Sequence, residues 1–246
     1  MKNLSKKSKI PNLKKSIIST IITNVVIAIC VLSVFGVCFG TDQTVMVSST
    51  GYKAIYRGNE NNKNVSLCIN VYWGTEYLDD MLQVLKNNNA KATFFVGGSL
   101  ASQNVEQLKK IYQDGHEIAN HGYYHKDHKL IDYARNVQEI EYNHKLIKGL
   151  IGVDMKLFMP PSGSYGLQTL EAAEKLGYTT IMWSKDTIDW RDNDTNLIIK
   201  RATKNMQNGD IILMHPTQCT KDALKSIVLA YKDAGFNLVT VSQNIA

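Results

Sequence analysis

From Val65 onward, short apolar runs alternate with longer segments whose apolar residues return every three or four positions. The runs "VSLCINV", "ATFFVGG", "HEIAN", "KLFM", "TTIMWS", "DIILMH" and "NLVTVS" give seven strand candidates. Helical spacing covers 75–89, 102–114, 131–149, 167–176, 194–207 and 220–234, and several of these segments stop at Asp114-Gly115, Gly177, Gly209 or Gly235. Alternation of this kind predicts an α/β fold with a parallel sheet under helices, and continuously apolar runs predict strands buried on both faces. Polar residues capable of chemistry follow the runs: Asn70 and Glu76 after the first, His121 and His125 after the third, Asp186 and Asp189 after the fifth, His215 after the sixth. Groups leaving several strand ends meet on one face of a closed sheet, whereas an open sheet offers a crevice at one switch point. The expected architecture is therefore a distorted (β/α) barrel of about seven parallel strands.

A different pattern precedes it. Residues 17–39, "IISTIITNVVIAICVLSVFGVCF", carry no charge over 23 residues, and about 20 suffice for a helix to cross a bilayer. The reading is a basic cytoplasmic stretch at 1–16, a transmembrane signal-anchor helix at 17–39, and a polar linker at 40–64 with a short strand near "KAIYR". The domain from 65 to 246 would lie outside the cytoplasm, tethered to the cell membrane, or secreted if the apolar segment is cleaved. The net charge of +6 invites a nucleic-acid partner, but Lys2, Lys6, Lys7, Lys9, Lys14 and Lys15 account for all of it. What remains is neutral, so no basic face is left to neutralise phosphates. Of the four cysteines only Cys68 and Cys219 fall in the outer domain, too few for a disulfide framework.

Candidate chemistry concentrates in three places. "HGYYHKDH" holds His121, His125 and His128, and the first two have the spacing of paired nitrogen ligands on one tight turn. The spacing also suits hydrogen-bonded or surface imidazoles, and His128 in "KDHK" reads as a solvated loop residue. "WSKDTIDW" places Asp186 and Asp189 after a strand, able to orient a histidine or accept sugar hydroxyls, or simply to cap a turn, with Trp190 able to stack on a ring. "ILMHP" ends a strand with His215, a residue suited to general acid work.

The ordered set "TFF", "GHEIANHGYYH", "FMPPSG", "DTIDW" and "LMHP" resembles the polysaccharide deacetylase family, the NodB-homology domain of carbohydrate esterase family 4, over roughly Val65 to Ile245. The resemblance implies a divalent metal, usually zinc, held by one aspartate and two histidines, and removal of N-acetyl groups from amino sugars of a cell-wall glycan such as peptidoglycan. It carries the metal ligands onto His121 and His125 and the general acid onto His215. Leu213 would lie beside the acetyl methyl, Asp186 would tune the acid, Trp190 would form an aromatic wall, and Asp189 would join the substrate contacts. The backbone N–H of Ser162 would donate to the oxyanion.

Three departures accompany the resemblance. The family's first motif is Thr-Phe-Asp-Asp-Gly, with a base and a metal ligand as its two aspartates. An ungapped alignment through "EYLDDML" and "KATFF" sets Cys68-Ile69-Asn70-Val71-Tyr72 against it, so Asn70 and Val71 replace both carboxylates. Met159 stands where the family has an arginine paired with the catalytic aspartate, and Gly122 where it has Ser or Thr. "NVYWGTEY" resembles a variant seen in deacetylase-like proteins associated with sporulation in Gram-positive bacteria; in such a site Glu76, or else Asp79, would replace a lost carboxylate, although both also read as acidic residues early in a helix that complement its dipole. Two functions follow: a slow metal-dependent N-deacetylase, or a membrane-tethered pseudoenzyme that binds glycan without cleaving it.

Overall fold

The computed structural model describes residues 22–25, 27 and 51–246. Residues 22–25 and 27 are helical with exposed side chains; the rest of the expected span at 17–39, and the basic stretch at 1–16, lie outside the described residues. Among the described residues no helix is long and apolar enough to cross a membrane. Residues 52–246 form a compact unit of their own.

That unit is built on parallel strands: β1 (Ala54–Ile55), β2 (Asn64–Val71), β3 (Ala92–Val96), β4 (Glu117–Asn120), β5 (Leu157–Phe158), β6 (Thr179–Ile181), β7 (Lys185–Asp186), β8 (Ile211–Met214) and β9 (Asn237–Leu238). They run in the order β1-β6-β5-β4-β3-β2-β8-β7, with β9 paired to the start of β2. Every pairing is parallel. β6 lies next to one end of this series and β7 is the other end, yet only residues 182–184 separate them in sequence. The sheet must therefore curl until its edges approach. The result is a curled half-barrel, with the edges joined by side chains and single backbone bonds in place of a ladder. Across the gap Gly58 N–H donates to the Gly209 carbonyl at 2.7 Å, and Arg57 meets the fully buried Asp210 carboxylate at 2.6 Å.

Two strands exceed the seven expected from the apolar pattern. β7 is polar, and β1 comes from the stretch assigned to the linker, where "KAIYR" pairs with β6. The last run, "NLVTVS", is strand only at Asn237–Leu238. Thr240 then caps the short helix Val241–Ile245, its hydroxyl taking the Gln243 N–H. The six long helical segments form as Leu78–Asn87, Val105–Gln113, Tyr133–Ile151, Leu167–Lys175, Thr195–Thr203 and Gln218–Asp233.

Side-chain alternation along β2 divides the core in two. Leu67, Ile69 and Val71 face outward against the helices, packing in one cluster with Leu78, Phe94, Leu108 and Leu224. Cys68 faces inward, and Phe95, Ala119, Leu157, Met159, Ile181, Ile211 and Leu213 join it from the neighbouring strands and loops. Each such fully buried large side chain contributes about 1.5–3 kcal/mol of transfer free energy. The helix Val241–Ile245 closes the end of the sheet where strands begin, with Val241 N–H bonded to Thr93 Oγ1 at 2.8 Å. The opposite end, where strands terminate, stays open. Both cysteines of the unit are free thiols, and burial pushes the Cys68 pKa well up, so it packs as an apolar group.

Candidate functional site

The open end holds a cavity of about 430 Å³. Asn70, His121, Asp186, Leu213 and His215 reach it from the ends of β2, β4, β7 and β8, while His125, Ser162 and Trp190 reach it from the loops between them. Of the residues singled out in the sequence, Glu76 and Asp189 do not line this cavity. Glu76 sits in the single turn Thr75–Tyr77.

His121 is buried, and its Nδ1–H donates to the Met159 carbonyl at 2.8 Å, which leaves the Nε2 lone pair free. The His125 ring lies 5.2 Å from it, centre to centre, nearly at right angles. Burial, and after it the neighbouring His125, hold His121 well below the ordinary imidazole range; burial lowers His125 as well. Both rings are thus disposed to be neutral, the form that ligates metals.

The loop carrying them is fastened from the helix Tyr133–Ile151. Glu139, buried beside Arg135, accepts the backbone N–H groups of Tyr123 at 3.0 Å and Tyr124 at 2.7 Å. Asn143 bonds Asn120, whose Oδ1 in turn takes the Gly122 N–H at 2.9 Å. This support from Glu139 and Asn120 serves a loop that lacks a hydroxyl at residue 122. His128, expected to be solvated, is buried: its Nδ1–H donates to Asn136 Oδ1 at 2.7 Å, and it packs on Phe158. Asn136, Glu139 and Asn143 recur at helical spacing on a face turned inward, a polar stripe visible in the sequence that the apolar pattern passed over.

On the opposite wall, His215 Nδ1–H donates to Asp189 Oδ1 at 2.8 Å, while Asp189 Oδ2 takes the His215 backbone N–H at 2.6 Å and the Thr220 hydroxyl. The aspartate that orients His215 is therefore Asp189, where the sequence reading had Asp186. Asp189 is only 2% exposed and cannot reach a sugar. Asp186 lines the cavity, and its Oδ1 takes the Ile188 N–H at 2.8 Å. The turn between them holds Ile188 at φ 53°, a costly conformation for a β-branched residue. Arg201, bonded to the Thr187 carbonyl at 3.0 Å, helps to enforce it. His125 and Ser162 also have positive φ, so backbone strain gathers round the cavity.

The first motif needs a second correction. Val71 is buried in the helix-facing core and cannot hold the metal-ligand position assigned to it. The motif ends in glycine, and Gly74 has φ 73° with Pro216 O only 1.9 Å from where a Cβ would stand. Registering on Gly74 sets Asn70-Val71-Tyr72-Trp73-Gly74 against Thr-Phe-Asp-Asp-Gly. The carboxylate positions then fall on Tyr72 and Trp73, and Val71 takes the place of a buried phenylalanine. Tyr72 packs its ring 4.7 Å from His125 and takes a hydrogen bond from Ser99 Oγ at 2.8 Å. Trp73 stacks on His215, rings 5.7 Å apart and 8° from parallel. Gly97 makes room for the first of these, since a Cβ there would lie 2.2 Å from the Tyr72 ring.

A catalytic zinc takes three protein ligands and keeps a fourth position for water. Among the described residues, no group of three His, Cys, Asp or Glu side chains is placed to hold an ion. His121 and His125 would supply only two ligands, and their neighbours at the first motif are aromatic. The residues present do not fit the family's metal centre.

Indoles and imidazoles around one cavity at the open end of a parallel half-barrel suit a protein that handles carbohydrate, and comparison with known proteins narrows that class. Residues 57–181 match the family described as polysaccharide deacetylase. A protein of Bacillus subtilis known as uncharacterized protein YlxY is 38% identical over 81% of this chain, which spans 63% of that relative's length. A peptidoglycan-N-acetylglucosamine deacetylase of Bacillus cereus is 31% identical over 77% of this chain and 71% of its own. A crystal structure of a CE4 family pseudoenzyme from Bacillus anthracis superposes with a TM-score of 0.77 at 33% identity, covering 79% of this chain and 69% of that one. A mutant of that pseudoenzyme is described as having restored enzymatic activity. The chain belongs to the polysaccharide deacetylase family.

Proposed function

We propose that this protein binds N-acetylated cell-wall glycan in the cavity at the strand ends and does not deacetylate it. The observation that carries this reading is the pair Tyr72 and Trp73 at the family's carboxylate positions, packed against His125 and His215. A tyrosine and an indole can neither take a proton from water near neutral pH nor complete a site for a borderline cation. Tyr72, Trp73, Trp183 and Trp190 give the cavity flat apolar faces on which pyranose rings stack. Held at the outer cell surface by the apolar stretch at 17–39, the domain meets its glycan there.

A second reading, slow hydrolysis, draws on the retained His215–Asp189 pair, whose Nε2 is free to protonate a departing amine. Incubating the purified protein and zinc with N-acetylglucosamine oligomers decides between them. The expected outcome is oligomer binding by calorimetry with no acetate produced. Acetate release that disappears in His215→Ala would reject the binding-only reading.

A further inference from the structure

Asn70 ends the inward-facing series on β2. One layer below it Cys68 belongs to the apolar interior, and beside it on β3 is the fully buried Phe95. In that layer Asn70 is only 5% exposed and lines the cavity, yet its Oδ1 is buried with no hydrogen-bond partner. A buried amide oxygen left in this state is costly, and natural cores seldom tolerate one without a use. No strand pairing requires a polar side chain here, and its register partner on β3, Phe95, is apolar, as are Cys68 and Leu213 in the layer below.

We propose that Asn70 is a specificity-determining residue that reads the acetamido group of the bound sugar: a small rotation of its carboxamide brings Oδ1 to accept the ligand's amide N–H. The inference rests on the glycan-binding reading above. Three features of the cavity select this ligand. Leu213 lines the same floor and offers an apolar contact for a methyl group. A carboxamide presents an acceptor and a donor together, matching the N–H and C=O of an acetamide better than a lone hydroxyl does. The ring-binding faces, Trp73, Trp183 and Trp190, are uncharged. Recognition then requires no metal.

Calorimetry on the full-length protein in EDTA tests this with three probes: a fully N-acetylated glucosamine tetramer, the same tetramer with free amines, and a glucose tetramer. The expected result is preference for the acetylated probe, with Asn70→Leu weakening that probe roughly tenfold and leaving the other two unchanged. Loss of preference, rather than loss of all binding, separates a reading role from a merely structural one. If Asn70→Leu keeps the wild-type preference, the assignment of Asn70 is wrong while glycan binding stands. If none of the three probes binds, both fail. Should Asn70→Leu fold poorly, Asn70→Thr serves as the second variant. It keeps a polar group but cannot match the amide, and the same collapse of preference is expected.

Discussion

Adding a single methyl group at residue 74 would drive it into the Pro216 carbonyl while holding an unfavourable φ of 73°. Gly74→Ala is expected to cost at least about 2 kcal/mol, read as a lower urea midpoint, because neither the backbone nor the loop after β8 can yield cheaply. Asp189 is a second sensitive point: Asp189→Ala strands two N–H groups of His215 and the Thr220 hydroxyl, and about 3 kcal/mol of destabilisation is expected in the same measurement. The titration of the histidines has a definite sign. Burial holds His116 down at about 4 and also lowers His121, His125 and His128. The unfolded chain, with imidazoles near 6.5, therefore binds more protons than the folded one just below that pH. Stability contributed by these rings is complete above about pH 6.5 and falls as pH drops toward 4. A urea midpoint unchanged between pH 7.5 and 4.5 would show that the rings take up protons without unfolding the protein.

Among the elements, the helix Tyr133–Ile151 does more than cover the sheet, since Glu139 fixes the loop that presents both imidazoles. Glu139→Ala removes the acceptor of two backbone N–H groups. Amide exchange at Tyr123 and Tyr124 is expected to accelerate at least tenfold while the sheet amides stay protected. Equal acceleration throughout would mean that the helix supports the whole unit and not this loop. The helices and the long strands were legible in the sequence because their apolar period is strong. β1 was expected near "KAIYR", whereas β7 was not, being two polar, half-exposed residues. His121, His125 and His215 could be found because motif order carries them. Tyr72 and Trp73 escaped because an alignment without reference to strand alternation put Val71, a residue of the outward core, into the site. The partner of His215 was missed for a related reason: Asp186 and Asp189 are equivalent by spacing, and only the tight turn through Ile188 sends one to the cavity and the other beneath it.

For the molecule as a whole, the protein has the frame of a deacetylase with aromatic side chains set where the reaction needs charges. Tyr72→Asp, Trp73→Asp and Met159→Arg together are expected to create a third metal ligand and a base paired with its arginine. The measurements are zinc content rising toward one per chain and acetate release from N-acetylglucosamine oligomers. Zinc uptake without acetate would place the remaining defect in the ligand loop at Gly122. Near-stoichiometric zinc in the unsubstituted protein would contradict the absence of a third ligand.

The seam between Arg57 and Asp210 bears on where the chain can be cut. A version trimmed to begin at residue 65, the boundary that apolar patterning suggests, would remove β1 like a stave from a cask. The edge of β6 would be left bare, and a carboxylate sealed from water would keep only the more distant Lys185 amine, 3.4 Å away, as a cationic neighbour. Such a fragment is expected to aggregate through its naked strand, whereas one starting at Tyr52 should remain monodisperse in size-exclusion chromatography.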